Sequence, residues 1–193
     1  MAKNKLTTAF HFLLFGLLLI LLSASVHGLE QNEIKRLMWA CKDGQIDVVS
    51  DFLAKGVDPD VRDRTGYTPL MWASFGRCLA CAERLLTAGA DVDAVMPGKN
   101  FNALTGAVRK GRSNMVKLLL SNGANPDFRL GDHGYTLLML AAKKGYNQVV
   151  LQLVEAGADV HARNDFGETA LKLARLYERT GVVQILESRG AAK

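Results

Sequence analysis

"TGYTPLMWAS", Thr65 to Ser74, joins a turn to the capped, apolar start of a helix. Nearly the same phrase recurs: "LMWAC" from Leu37, "LMWAS" from Leu70, "LTGAV" from Leu104, "LMLAA" from Leu138 and "LKLAR" from Leu171. The successive steps between these leucines are 33, 34, 34 and 33. Gly56, Gly89, Gly123, Gly157 and Gly190 keep the same four steps. Two residue types sharing one set of increments, insertions included, define an internal repeat. The chain divides into five units, at about 31–61, 62–94, 95–128, 129–161 and 162–193.

One unit can be read physically. Gly66 supplies positive φ in a turn, and Gly134 and Gly167 hold that slot later. Asn100 fills it once, as the next residue to tolerate it. Thr68 then caps a helix, with Pro69 at its first position. Asn102, Thr136 and Thr169 repeat the cap. A short helix follows, with Leu70 and Ala73 facing inward. A second helix comes after a glycine such as Gly44, Gly111 or Gly145. In the first copy it buries Val48, Val49, Phe52 and Leu53, a helical spacing. The closing glycine of each unit stops it in a left-handed cap. Helices of about 8–11 residues are marginal alone in water. Ala40, Ala73, Ala107, Ala141 and Ala174 let neighbouring backbones approach. Stability must therefore come from stacking unit on unit, with the outer two as caps. Gln31, Asn32, Glu33, Lys35 and Arg36 should be wet at one end. Glu178, Arg179, Gln184 and Glu187 should be wet at the other.

"GYTPLMWAS…AERLLTAGADVDA" and "GETALKLA" resemble the ankyrin repeat. That repeat is a turn plus two helices with a period of about 33 residues. The resemblance covers roughly Glu33 to Gly190. It implies an all-α solenoid of helix-turn-helix units joined by hairpin-like loops, and a non-enzymatic role in protein–protein interaction. There are departures. The family usually carries His after "TPL", where this chain has Met71, Thr105, Met139 and Lys172. Arg77 sits where a glycine usually separates the two helices, with Gly76 one place early. Glu178 replaces that glycine in the last unit. Irregular helix-to-helix turns are expected at both places.

The segment 1–28 reads as a secretory leader. Lys3 and Lys5 precede an apolar run, Phe12 to Leu22, and Val26 and Gly28 offer small residues for cleavage. The run is short of the roughly 20 residues that span a bilayer. A periplasmic or secreted domain at 29–193 is therefore expected, with no membrane insertion after cleavage. A retained membrane tether is the competing reading. No Asn-x-Ser/Thr site occurs, which fits bacterial export. Past the leader the chain carries 22 basic and 19 acidic residues, a balance of +3. That is too mild to argue for nucleic acid. The split is uneven. Residues 29–98 carry 8 basic and 11 acidic residues, and residues 99–193 carry 14 and 8.

Catalytic constellations are missing from the sequence. The Asp58/Asp60 and Asp91/Asp93 pairs fall in the repeated polar turn. No phosphate loop, nucleophile elbow, metal-spaced cluster or cofactor motif occurs. His133 and His161 occupy loop slots that other units fill with unrelated residues. "CLAC", Cys78 to Cys81, begins a second helix, where a thiol's pKa falls and the pair can close and reopen. A redox-linked role in oxidative-stress protection is the alternative it raises. Cys81 also suits an apolar core slot, and a Cys78–Cys81 or a Cys41–Cys78 bridge is open to the chain in an oxidising compartment.

The resemblance places partner binding on the hairpin tips and the concave side of the first helices. The residue after each turn slot is Tyr67, Phe101 and Tyr135, then Glu168. Stacking should align the three aromatics on one rim, a composition enriched in binding hot spots. At the ends of the first helices stand Phe75 in unit two, Arg109 and Lys110 in unit three, and Lys143 and Lys144 in unit four, with Arg112 nearby. Helix C-termini favour cations in any case. Beside an aromatic rim, this set points to an acidic protein or peptide bound by a monomer.

Overall fold

The computed structural model describes residues 30–131 and 133–191. The expected leader, 1–28, lies outside them. Among the described residues there are ten helices in five pairs: α1 Gln31–Asp43 and α2 Ile46–Ala54, α3 Pro69–Phe75 and α4 Leu79–Thr87, α5 Ala103–Arg109 and α6 Ser113–Ser121, α7 Leu137–Lys144 and α8 Asn147–Glu155, α9 Ala170–Leu176 and α10 Thr180–Ser188. The two strands, β1 Arg129–Leu130 and β2 Tyr135–Thr136, form an antiparallel hairpin pairing Arg129 with Thr136. None of these helices is long and apolar enough to cross a membrane.

First helices pack on first helices (α1, α3, α5, α7, α9), and second helices on second helices. This is the expected all-α solenoid. Leu37, Leu70, Leu104, Leu138 and Leu171 fall in one continuous core, and the five expected alanines are fully buried. The caps form as read. Thr68, Asn102, Thr136 and Thr169 each accept a hydrogen bond from the backbone N–H three residues on, at 2.9–3.3 Å. Val49 and Phe52 are buried in α2, while Val48 and Leu53 are half-buried.

Carboxylates join the units. Asp60 accepts from the backbone N–H of Asp91, Asp93 from that of Asn125, and Asp127 from that of Asp159. Asp58 and Asp91 close the turn within their own units. The repeated acidic pairs are therefore joints and turn-formers.

Two local expectations meet a different outcome. Asn100 does not take positive φ; Gly98, at φ +68°, bends that hairpin instead. The segment "MPGKN" there carries Pro97 against Gly66, where an added Cβ would lie 2.9 Å from the proline ring. Glu178 does take the left-handed conformation, at φ 56°, and so keeps the turn that glycine makes in other units. Gly76 is extended rather than left-handed, because the Lys42 carbonyl lies against it. The turn after α3 is irregular, as expected.

Candidate functional site

Tyr67, Phe75 and Phe101 come together between units two and three. The Phe75 and Phe101 rings stack, with centroids 5.3 Å apart. Tyr67 meets each of them edge-on at 5.7 Å. Room for this stack comes from Gly106 on α5, where a Cβ would lie 3.4 Å from Phe101. The cluster does not form an evenly exposed rim. Phe101 is only 7% exposed, because its ring turns inward over Gly106, while Tyr67 and Phe75 are half-buried.

The cluster walls a concave groove of about 810 Å³. Met96, Leu130 and Leu140 add apolar floor, and Asn100 donates to the Gly131 carbonyl across the hairpins at 3.2 Å. Arg109 and Lys110, at the C-terminus of α5, line it with Lys144 from α7 and Lys99 from the hairpin. No carboxylate among the described residues lines it. Six of the eight residues expected to bind a partner thus converge on one groove.

Tyr135 and Lys143 stand apart, towards unit five. The Tyr135 hydroxyl donates to Glu168 at 3.2 Å, and Asn164 donates to the same carboxylate oxygen at 2.8 Å. The Lys143 ammonium lies 4.9 Å over the Tyr177 ring. Burial, then the Glu168 contact, raises the Tyr135 phenol pKa. The Tyr177 hydroxyl holds the Lys143 ammonium above its ordinary range. The Asn164 hydrogen bond holds the Glu168 carboxyl below its own. These groups satisfy one another instead of facing the groove.

Arg112 does not join the cationic row. It donates to the Phe75 carbonyl at 2.8 Å and so caps the preceding unit's first helix. Arg179 does the same for Lys143 at 3.2 Å.

Two tryptophans extend the concave face and were not among the expected binding residues. Trp39 is 49% exposed, and the Lys42 ammonium lies 4.8 Å from its ring and 5.8 Å from that of Trp72. Trp72 reaches Tyr67 at 5.7 Å and donates to Asp63 at 2.9 Å. The signal was visible in "LMWAC" and "LMWAS". Both indoles fill the slot that Gly106 and Leu140 hold in later units.

Cys78 and Cys81 form a disulfide, buried at the start of α4. Cys41 is free and buried, and burial pushes its thiol up to about 12. A thiol so protonated is a poor nucleophile. The redox alternative gains no support from this arrangement. Among the described residues no group of three or more His, Cys, Asp or Glu side chains could hold a metal ion.

The family model describing ankyrin repeats (three copies) matches residues 2–96, 37–129 and 104–193. A putative ankyrin repeat protein of Escherichia coli, YahD, is 30% identical over 189 residues, covering 79% of this chain and 94% of that protein. A putative ankyrin repeat-containing protein of Treponema pallidum is 31% identical over 148 residues, covering 77% of this chain. The mouse B-cell lymphoma 3 protein homolog is 31% identical over 179 residues, covering 91% of this chain. The chain spans 48% of the treponemal protein and 40% of the mouse protein.

Proposed function

Because this chain belongs to the ankyrin-repeat family, whose repeats are typically non-enzymatic modules that bind protein partners, we propose that it holds an acidic protein or peptide in its concave groove, acting as a monomer outside the cytoplasm. The groove itself carries this reading. An aromatic wall offers apolar contact in the form that dominates hot spots. Four cations beside it, with no described carboxylate to neutralise them, offer orientation and steering. The expected leader supports export, and the Cys78–Cys81 bridge suits an oxidising compartment.

A photo-crosslinking side chain tests the binding face. It replaces Lys110 in the groove or, as a control, the exposed Asp51 on α2. Adducts formed in the exporting cell should come from the Lys110 position and weaken when Tyr67→Ala and Phe75→Ala are introduced. Equal adducts from the Asp51 position, or adducts indifferent to both alanines, refute the groove as the binding face. The intact mass of the exported protein tests the location: a start at Leu29 is expected, and a retained leader refutes cleavage.

A further inference from the structure

We propose that the groove's occupant is an extended, polyproline-II-like peptide carrying an apolar side chain at one position and carboxylates three and six residues along. This rests on the acidic-partner reading and adds a conformation and a spacing to it. Successive first helices present one slot each at their C-termini. The slot holds Phe75 on α3, Arg109 and Lys110 on α5, and Lys144 on α7. All four line the one groove. Its row therefore runs apolar, cationic, cationic, one step per unit.

The step is set by packing. The first helices of adjacent units touch directly, which spaces their axes by roughly 8–10 Å. A polyproline-II chain rises about 3.1 Å per residue with three residues per turn, so every third side chain faces the same way about 9.3 Å further on. That period matches the step. A β-strand returns a side chain to one face every ~6.6 Å, short of one step, and two helix turns climb ~10.8 Å, beyond it, so neither meets each slot in turn. Lys143 would broaden the third position, but the Tyr177 ring holds it. Lys144 is then the cation on α7 that faces the ligand. Arg112 is committed to the Phe75 carbonyl and does not line the groove, so it adds no cation to the row there. A polyproline-II chain forms no internal hydrogen bonds and enters a groove with little conformational entropy to lose.

Fluorescently tagged peptides titrated by anisotropy against the folded protein test this. The probes are Phe-Pro-Pro-Glu-Pro-Pro-Glu and its reversed sequence, which cover both chain directions. The control, Phe-Pro-Glu-Pro-Glu-Pro-Pro, has the same composition with offset carboxylates. One in-register probe should bind about tenfold more tightly than the control, the expectation for two exposed ion pairs. That advantage should vanish in the Arg109→Gln, Lys110→Gln, Lys144→Gln variant, all three exposed positions. Equal affinity of probes and control, lost together in the variant, overturns the spacing and leaves the acidic-partner reading standing. Absence of binding, or binding indifferent to the variant, overturns both.

Discussion

Replacing Gly76 by alanine should weaken the stack more than any other glycine substitution at a turn. The conformation of Gly76, φ −66° and ψ −160°, is open to alanine, so the barrier is contact. A Cβ there would lie 2.1 Å from the Lys42 carbonyl oxygen and 2.7 Å from its carbon. Ordinary contact begins at 3.4 Å, so the ends of α1 and α3 must part by more than an ångström. Both atoms belong to backbone, and neither can swing aside. Overfilling a packed site costs about 1–3 kcal/mol, and a gap of about 1 Å forfeits a quarter to a half of each dispersion contact across it. The α1–α3 seam includes Ala40 and Ala73, both fully buried, so the loss should reach about 3 kcal/mol, the upper part of that range. For a chain of this size the melting midpoint should fall by roughly 6–12 °C. Circular dichroism melts of Gly76→Ala and Gly89→Ala make the comparison. Gly89 has φ +91° with nothing within 4 Å of an added Cβ, so it carries only left-handed strain, about 1–2 kcal/mol. A Gly76→Ala protein that melts no lower than Gly89→Ala refutes the close approach.

Asn102→Ala should cost about 2 kcal/mol by urea unfolding, because its carbonyl accepts from both Thr105 groups and its amide reaches Asp93. Asn102→Thr, which restores the cap used in other units, should recover at least half; no recovery contradicts the capping role. Asp63 gives a pH signature. Burial pushes its carboxyl up, but hydrogen bonds from Thr65, Trp72 and Tyr67 outweigh it and hold the pKa below the usual range. The resulting stability is present above about pH 4 and is lost as pH falls through the lower folded value. The gap between wild type and Asp63→Asn in melts should therefore close on acidification; a gap that widens refutes it. Cys41 should resist a disulfide-exchange reagent at about pH 8, near the ordinary thiol pKa, until the protein is unfolded. Rapid labelling of folded protein contradicts its burial.

The parts that could be read in the sequence are those set within one unit. A cap needs only the residue and the backbone three positions on, so Thr68, Thr136 and Thr169 were legible. The period was legible because Leu and Gly carried it twice over. Contacts between units were harder. Phe101 looked exposed by its slot, yet Gly106 on the following helix opens space for its ring. Lys143 matched Lys144 in the string, but Tyr177 in the next unit draws it away. Gly98 took over the bend expected of Asn100 because "MPGKN" shifts the tight point two places earlier. Trp39 and Trp72 repeat across the first two units, but Gly106 and Leu140 hold their slot later, so the indole does not carry the period as the buried leucine nearby does. Arg112 joined the basic row by proximity in sequence, while its guanidinium turns to a carbonyl in the preceding unit.

The carboxylate joints at Asp60, Asp93 and Asp127 have a consequence for how such a chain can grow. Each joint pairs one acidic side chain with one main-chain amide in the following unit, and it asks nothing else of that unit's identity. The position is His161 in the fourth unit. Units two and three are thus interchangeable cassettes with matching connectors at both ends. Duplicating the third would lengthen the trough by one berth without redrawing any seam, so a lineage could track a longer tail by copying alone.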